Sequence, residues 1–184
     1  MSAYDLPTSA VIGGVEYEIR SDYRAVLDII SVMCDASISD GERAYVSLSI
    51  FYPDFETIPS GDMQAALDYC LWFVGGGSDE KPNVRKPKIM DWNQDFPLIV
   101  SPVNKVLGYE IRAVEYLHWW TFLAAYQEIG DCFFAHVVSI RRKKKRGQKL
   151  DKTDQQFYRE NRQLIDLKVE MTNEEKDILD AWMS

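Results

Sequence analysis

YLHWWTFLAAY, residues Tyr116–Tyr126, is the stretch on which the fold turns, because only His118 and Thr121 interrupt a run of aromatic and aliphatic side chains. A helix of that composition is apolar nearly all round, so it is either buried by its own domain or held ready for a partner. Adjacent Trp119 and Trp120 point about 100° apart on a helix, so both are covered only if the helix is packed on two sides. That geometry favours a central core helix over an open groove for an amphipathic helix. The run extends into a helix predicted from about Ala113 to Ile129, stopped by Gly130. Asp131 is placed to cap a following helix that reaches Arg146, before Gly147.

Working outward, residues 92–107 carry Trp92, Phe96, Ile99 and Val103 but also Pro97 and Pro102, a pattern that predicts a kinked helix or two short turns closed by Gly108. Residues 75–88 hold three consecutive glycines and two prolines among mixed charges, the composition of a flexible linker. No Lys-Ser or Lys-Thr pair follows those glycines at phosphate-loop spacing. Before the linker, Ser9–Ile12 and Val15–Ile19 flank Gly13-Gly14, with Val15, Tyr17 and Ile19 alternating with Glu16 and Glu18 as in a half-buried hairpin strand. Three helices are then expected. The first follows Ser21 or Asp22 and buries Val26, Ile29, Ile30 and Met33. The second starts at Ser39 or Asp40, buries Ala44, Leu48, Phe51 and Tyr52, and ends at Pro53. The third is capped by Ser60 and carries the stripe Met63, Ala66, Leu67, Cys70, Leu71, Val74. At the other end, a polar helix is predicted near 153–168 around Phe157, Leu164 and Leu167, and Thr172 with Glu175 forms a capping box for a short helix ending at Trp182. The expected fold is therefore mainly α: a β-hairpin with three helices over 1–74, a linker over 75–88, and a helical region over 89–184 around the central apolar helix.

Composition narrows the function classes. With 46% hydrophobic residues in 184, the chain can bury one fair core or two small ones. A net charge of −8 disfavours a protein devoted to coating nucleic acid. The charge is uneven: residues 1–78 carry 12 acidic and 3 basic side chains, net −9, whereas 79–184 carry 17 and 18, net +1. That asymmetry permits head-to-tail self-association, or reflects two solvated surfaces. Cys34, Cys70 and Cys132 are odd in number and widely spaced in apolar helical patterns, which predicts buried free thiols and suits a reducing cytoplasm. The start of the chain lacks the basic flank and apolar run of a signal peptide, and the 116–126 run is too short to span a bilayer.

Chemistry is sparsely marked. The two histidines, His118 and His136, come without HExxH or CxxC, so no metal or cofactor is expected, and His118 in an apolar run reads as a hydrogen-bonded core residue. Asp91 and Asp95 share a helical face at i, i+4, the minimum for paired carboxylates or a divalent ion, yet acidic groups at a helix start also complement the dipole. No GxSxG is present and no histidine neighbours a cysteine, so the chain is expected not to be an enzyme. The basic run Arg141, Arg142, Lys143, Lys144, Lys145, Arg146 is the strongest electrostatic feature. Cations belong at a helix C-terminus, but six in succession exceed capping, so a solvated helix end and docking to an acidic protein surface both stand. Without interleaved aromatics to stack on bases, a protein partner is favoured over nucleic acid. Together with Trp92, Phe96, Trp119 and Trp120, the run forms the set of candidate partner-binding residues.

Several long strings carry a resemblance. LPTSAVIGGVEYEIRSDYR (Leu6–Arg24), IFYPDFE (Ile50–Glu56), MDWNQDFPLIVSPVNKVLGYE (Met90–Glu110), EYLHWWTFLAAYQEIGD (Glu115–Asp131) and the YRENR around Arg159 cover most of the chain. In that order they resemble the bacteriophage gp-fifteen family, found in the tail-gene region of siphophages and prophages. The resemblance implies a tail-morphogenesis role, foremost a tail assembly chaperone in the host bacterial cytoplasm that holds the tape measure protein soluble and brings tail tube protein to it. A structural part of the mature tail or connector is the alternative, with a nucleic-acid-binding accessory protein behind it. No catalytic residue is implied.

Overall fold

The computed structural model describes residues 5–78 and 89–168. Most of the linker, 79–88, and the predicted helix around Thr172–Trp182 lie outside the described residues. The chain is mainly α-helical, with one N-terminal β-hairpin. The described residues divide into two compact units, 5–78 with 118–120, and 89–117 with 121–168.

In the first unit, β1 (Ser9–Ile12) pairs antiparallel with β2 (Val15–Glu18) in the register Ala10 opposite Tyr17 and Ile12 opposite Val15. The two-residue turn places Gly13 and Gly14 at φ 58° and 83°, which matches the strand twist and which residues with a Cβ adopt at a cost. Ala10, Ile12, Tyr17 and Ile19 face inward, whereas Val15, expected to share that face, sits beside the turn and is exposed.

Helix α1 (Tyr23–Cys34) is capped by Asp22, whose carboxylate accepts from the Arg24 amide, and it buries Tyr23, Val26 and Ile29. Ser39 and Glu42 close the capping box of α2 (Asp40–Phe51). At its far end Arg20 donates to the carbonyls of Ser49 (3.1 Å) and Ile50 (2.7 Å), satisfying helix-terminal acceptors just before Pro53. Phe51 and Tyr52 are fully buried, and the Tyr52 hydroxyl donates to the Ala66 carbonyl at 3.1 Å. Ser60 begins a 3₁₀ turn rather than capping α3 (Met63–Val74) directly. The buried face of α3 is Ala66, Cys70 and Phe73; Leu71, assigned to the stripe from spacing, is exposed because the Phe73 ring takes the core position among Phe51 and Trp120.

Residues 118–120 complete this unit. Trp119 donates its amide to Ser21 O at 2.8 Å and its indole N–H to Val74 O at 2.9 Å, and the Trp120 indole donates to Phe73 O at 2.9 Å. The two indoles thus bond the last carbonyls of α3, Trp119 as donor to Val74 O and Trp120 as a second donor to Phe73 O beside the Gly76 amide (3.0 Å). Gly77 follows at φ 79°, and a Cβ there would stand 2.8 Å from the Trp120 ring. His118 Nδ1 accepts from the Trp120 amide at 3.0 Å, so the ring proton resides on Nε2 and is donated to Pro7 O at 3.0 Å.

This arrangement corrects the predicted Ala113–Ile129 helix. Backbone at 118 bridges to 22, the residues before it are turn and extended, and α5 spans only Trp119–Gln127. His118 is not inside a helix; it caps one.

In the second unit, α4 (Trp92–Leu107) runs through both prolines as one helix and buries Asp95, Ile99, Val100 and Val103. The prolines remove helical donors to Asn93 and Leu98, positions outside the fully buried face, so the helix continues rather than breaking into two turns. Helix α6 (Phe133–Lys145) is capped by the Cys132 thiol, which accepts from Ala135 at 3.4 Å, one residue later than the expected Asp131. The predicted polar helix divides into α7 (Lys152–Glu160) and α8 (Arg162–Ile165). Val137, Ile140 and Ile165 form a core with Leu98, Leu150, Phe157 and Tyr158 packed on it, while Leu164 is exposed.

All three cysteines are free, as expected, but only Cys70 is buried; Cys34 is exposed and Cys132 half-buried. Burial pushes the Cys70 thiol up to about 12, which leaves it inert as a nucleophile at neutral pH.

Burial also holds His118 below the usual histidine range, against the opposing pull of the Pro7 carbonyl. The unfolded chain therefore takes up this proton more readily. The contribution of His118 to stability is complete above its unfolded pKa of about 6.5 and is lost as pH falls below it. His118→Gln, which no longer titrates and no longer caps Trp120, should lower stability at pH near 7.5 by about 1 kcal/mol. The gap to wild type should narrow steadily towards pH near 5 in urea melts, beneath the pKa of an ordinary histidine.

Candidate partner-binding surfaces

The second unit is organised by a buried ion pair. Asp95, in the first turn of α4, is fully buried; Arg141, in the last turns of α6, is 4% exposed. The two meet fork to fork, with Nη1 to Oδ2 at 2.6 Å and Nη2 to Oδ1 at 2.8 Å. The remaining guanidinium N–H groups donate to the carbonyls of Ile165 (2.6 Å), Leu164 (2.6 Å) and Ile89 (3.3 Å), so all five are used. Asp95 also accepts the Asp91 amide at 2.9 Å, while Asp91 caps α4 by accepting from Gln94. The i, i+4 carboxylates thus do two jobs: Asp91 serves the helix start and Asp95 the core. Among the described residues no group of three or more His, Cys, Asp or Glu side chains is placed to hold a metal ion.

The rest of the basic run divides in two. Lys143 pairs with Asp154, which His136 also contacts at 3.3 Å from a ring stacked on Phe157. The hydrogen bond from Lys143 is the chief reason that the Asp154 carboxyl is held below its ordinary range. Lys144 lies over the Tyr158 ring, 3.9 Å from its centroid, and donates to Asp166 at 2.6 Å. Burial opposes the charge on both Lys144 and Asp166, yet the bonds among Lys144, Asp166 and Tyr158 keep the lysine pKa raised and the carboxyl pKa lowered. Arg142, Lys145 and Arg146 are exposed and form no ion pair among the described residues.

Beside this helix end an open cleft of about 380 Å³ is lined by Arg141, Lys144, Lys145, Ile165, Asp166 and Leu167. Its wall is the end of α8, which Arg141 holds at 164–165, and the segment after it, which Gln94 clamps through Asp166 O (3.0 Å) and the Lys168 amide (3.0 Å). Arg141 and Lys144 are already satisfied and Ile165 is fully buried, so the cleft offers half-buried Leu167 with a single free cation, Lys145, among the described lining residues.

The aromatic candidates are packing residues to different degrees. Trp119 is buried, and Trp120 is half-buried against Trp72 and Phe73. In the second unit Trp92 and Phe96 are half-buried, with the Trp92 ring 5.0 Å from Tyr126 and 6.1 Å from Phe122. Arg141, counted among the surface cations from sequence, belongs to the core.

With the geometry in place, comparison gives the family. The chain matches the model for the Bacteriophage Gp15 protein over residues 4–167. The chain belongs to the Bacteriophage Gp15 protein family. No curated protein and no solved structure matches it. The Gp15 match takes in both units, the Asp95–Arg141 pair and the whole described lining of the cleft. No helix among the described residues is long and apolar enough to cross a membrane.

Removing Asp95 strands a buried guanidinium. Asp95→Ala should cost about 3–5 kcal/mol in urea unfolding. The double replacement Asp95→Leu with Arg141→Met should remain destabilised, because the carbonyls of Ile89, Leu164 and Ile165 then lose their donor.

Proposed function

We propose that this Gp15 protein is a non-catalytic tail-morphogenesis factor, a tail assembly chaperone that binds the tape measure protein in the host cytoplasm and helps bring tail tube protein to it. The observation that carries the reading is the cleft at the end of α6: half-buried Leu167 lies beside Lys145 over the buried Ile165, with Arg142 and Arg146 exposed nearby on the same helix end. An amphipathic client helix with acidic flanks suits such a surface, its apolar ridge covering Leu167 and its carboxylates facing the free cations. One contact of this size is weak. Several copies along a long helical client give high total occupancy while each contact stays easily released, which is what a scaffold removed during tube polymerisation requires. Family membership supports a phage role, and the free thiols accord with a reducing compartment.

Co-expression with the tape measure protein of the same phage tests the reading. Soluble co-purification is expected, and Leu167→Asp should reduce client recovery about tenfold, the effect of losing one buried leucine contact. A client that stays insoluble beside folded, soluble chain, or this protein found at stoichiometric levels in purified virions, would contradict it.

A further inference from the structure

The exposed cations of α6 are arranged as one face. Arg142, Lys145 and Arg146 follow i, i+3, i+4 spacing, on the side of the helix away from Val137, Ile140 and Arg141, and none has a counter-ion among the described residues. The helix dipole places its negative end there, but a dipole end is offset by one or two cations, and Lys143 and Lys144 already stand at that end with carboxylate partners of their own. A positive helix face of this kind lacks a partner among the described residues.

The first unit carries the opposite imbalance. Its three cations are all engaged: Arg20 on the carbonyls of Ser49 and Ile50, Arg24 on Asp22, and Arg43 on Asp40. The excess of acidic groups therefore stays on the surface. At the C-terminal end of α2 it coincides with a shape, an open cleft of about 310 Å³ whose lining includes Asp54, Glu56 and Tyr45. Both carboxylates are exposed and outside any ion pair among the described residues. Tyr45 is 60% exposed and braced edge-on by Phe55 at 5.1 Å. Carboxylates beside a held aromatic ring suit a guanidinium, which bonds in its plane and stacks through its face.

We propose that the basic face of α6 docks onto this acidic, aromatic cleft of a second copy of the chain, forming a head-to-tail contact. The two faces are different surfaces of one chain, so the contact is heterologous, and repetition closes into a ring or extends into a string of copies. Single exposed ion pairs bind feebly, so the association is weak at each contact and strongly salt-dependent. This inference shares the α6 cations with the client reading but does not need Leu167, and an experiment on the chain alone reads it without any client.

Sedimentation velocity on the purified full chain tests it, over a concentration series at about 50 mM and about 500 mM salt, on either side of effective screening. Association is expected at low salt and should weaken at least tenfold at high salt. The neutralised variants Arg142→Gln/Lys145→Gln/Arg146→Gln and Asp54→Asn/Glu56→Gln should each associate about tenfold more weakly, with unchanged circular dichroism. Mixed in equal amounts, they should form a 1:1 dimer and nothing larger, because each supplies the face that the other lacks. A monomeric wild type at low salt, association indifferent to salt or to either variant, or a mixture no better than its components would overturn the proposal. So would a monomer whose α6 cations bind a DNA duplex instead.

Discussion

An arginine buried with a carboxylate must be satisfied completely or it destabilises the fold, and the second unit is arranged around that demand. Removing both charges from water costs several kcal/mol per ion, roughly, and the pair's own attraction returns this only with good geometry and with every remaining donor used. Arg141 meets the condition by combining a two-bond fork to Asp95 with three backbone carbonyls. Those partners fix the start of α4, the end of α6 and the end of α8 relative to one another. The apolar core of Val137, Ile140 and Ile165 supplies bulk burial, while the ion pair sets the relative placement that burial alone leaves loose. The cleft beside α6 inherits its shape from the same bonds, since its wall is the segment that Arg141 and Gln94 hold.

The pair also changes what the basic run means. Six successive cations suggest a large positive field, but one is in the core and two are matched to carboxylates, which leaves three to face solvent. A field of that size suits selective contact with an acidic protein surface better than indiscriminate attraction to phosphate. The first unit solves a different local problem. The last carbonyls of α3 lie beyond the helical ladder, and the Trp119 indole donates to Val74 O while the Trp120 indole adds a second donor to Phe73 O, their rings burying apolar area. The paired tryptophans that look from sequence like a binding motif are largely spent on that task.

How much of this was legible in the sequence depends on the range of the interaction. The hairpin followed from Gly-Gly between alternating residues, and α2 from a start at Ser39 or Asp40 and a stop at Pro53, because both are decided within a few residues. The long helix over the apolar run was misjudged at its start. Hydrophobicity there promised a helix from Ala113, but the amide of Trp119 pairs with Ser21, nearly a hundred positions away, and local pattern carries no trace of that pairing. Likewise the prolines of α4 reported a local cost while tertiary packing of Ile99, Val100 and Val103 decided the outcome. Asp95 was visible as one of two carboxylates on a helical face; its partner 46 residues on was not, since nothing marks Arg141 apart from its five basic neighbours except helical phase with Val137 and Ile140. The cleft beside α6, made by side chains from separated segments, left no sequence signal.

Arginine-selective labelling of the folded protein with phenylglyoxal, mapped by mass spectrometry, tests the central claim directly. Arg142 and Arg146 should react readily while Arg141 is protected until denaturant unfolds the chain, and Asp95→Ala should shorten that protection. Equal labelling of Arg141 and its two arginine neighbours in the native state would show that the guanidinium is at the surface and that the second unit is held together in some other way.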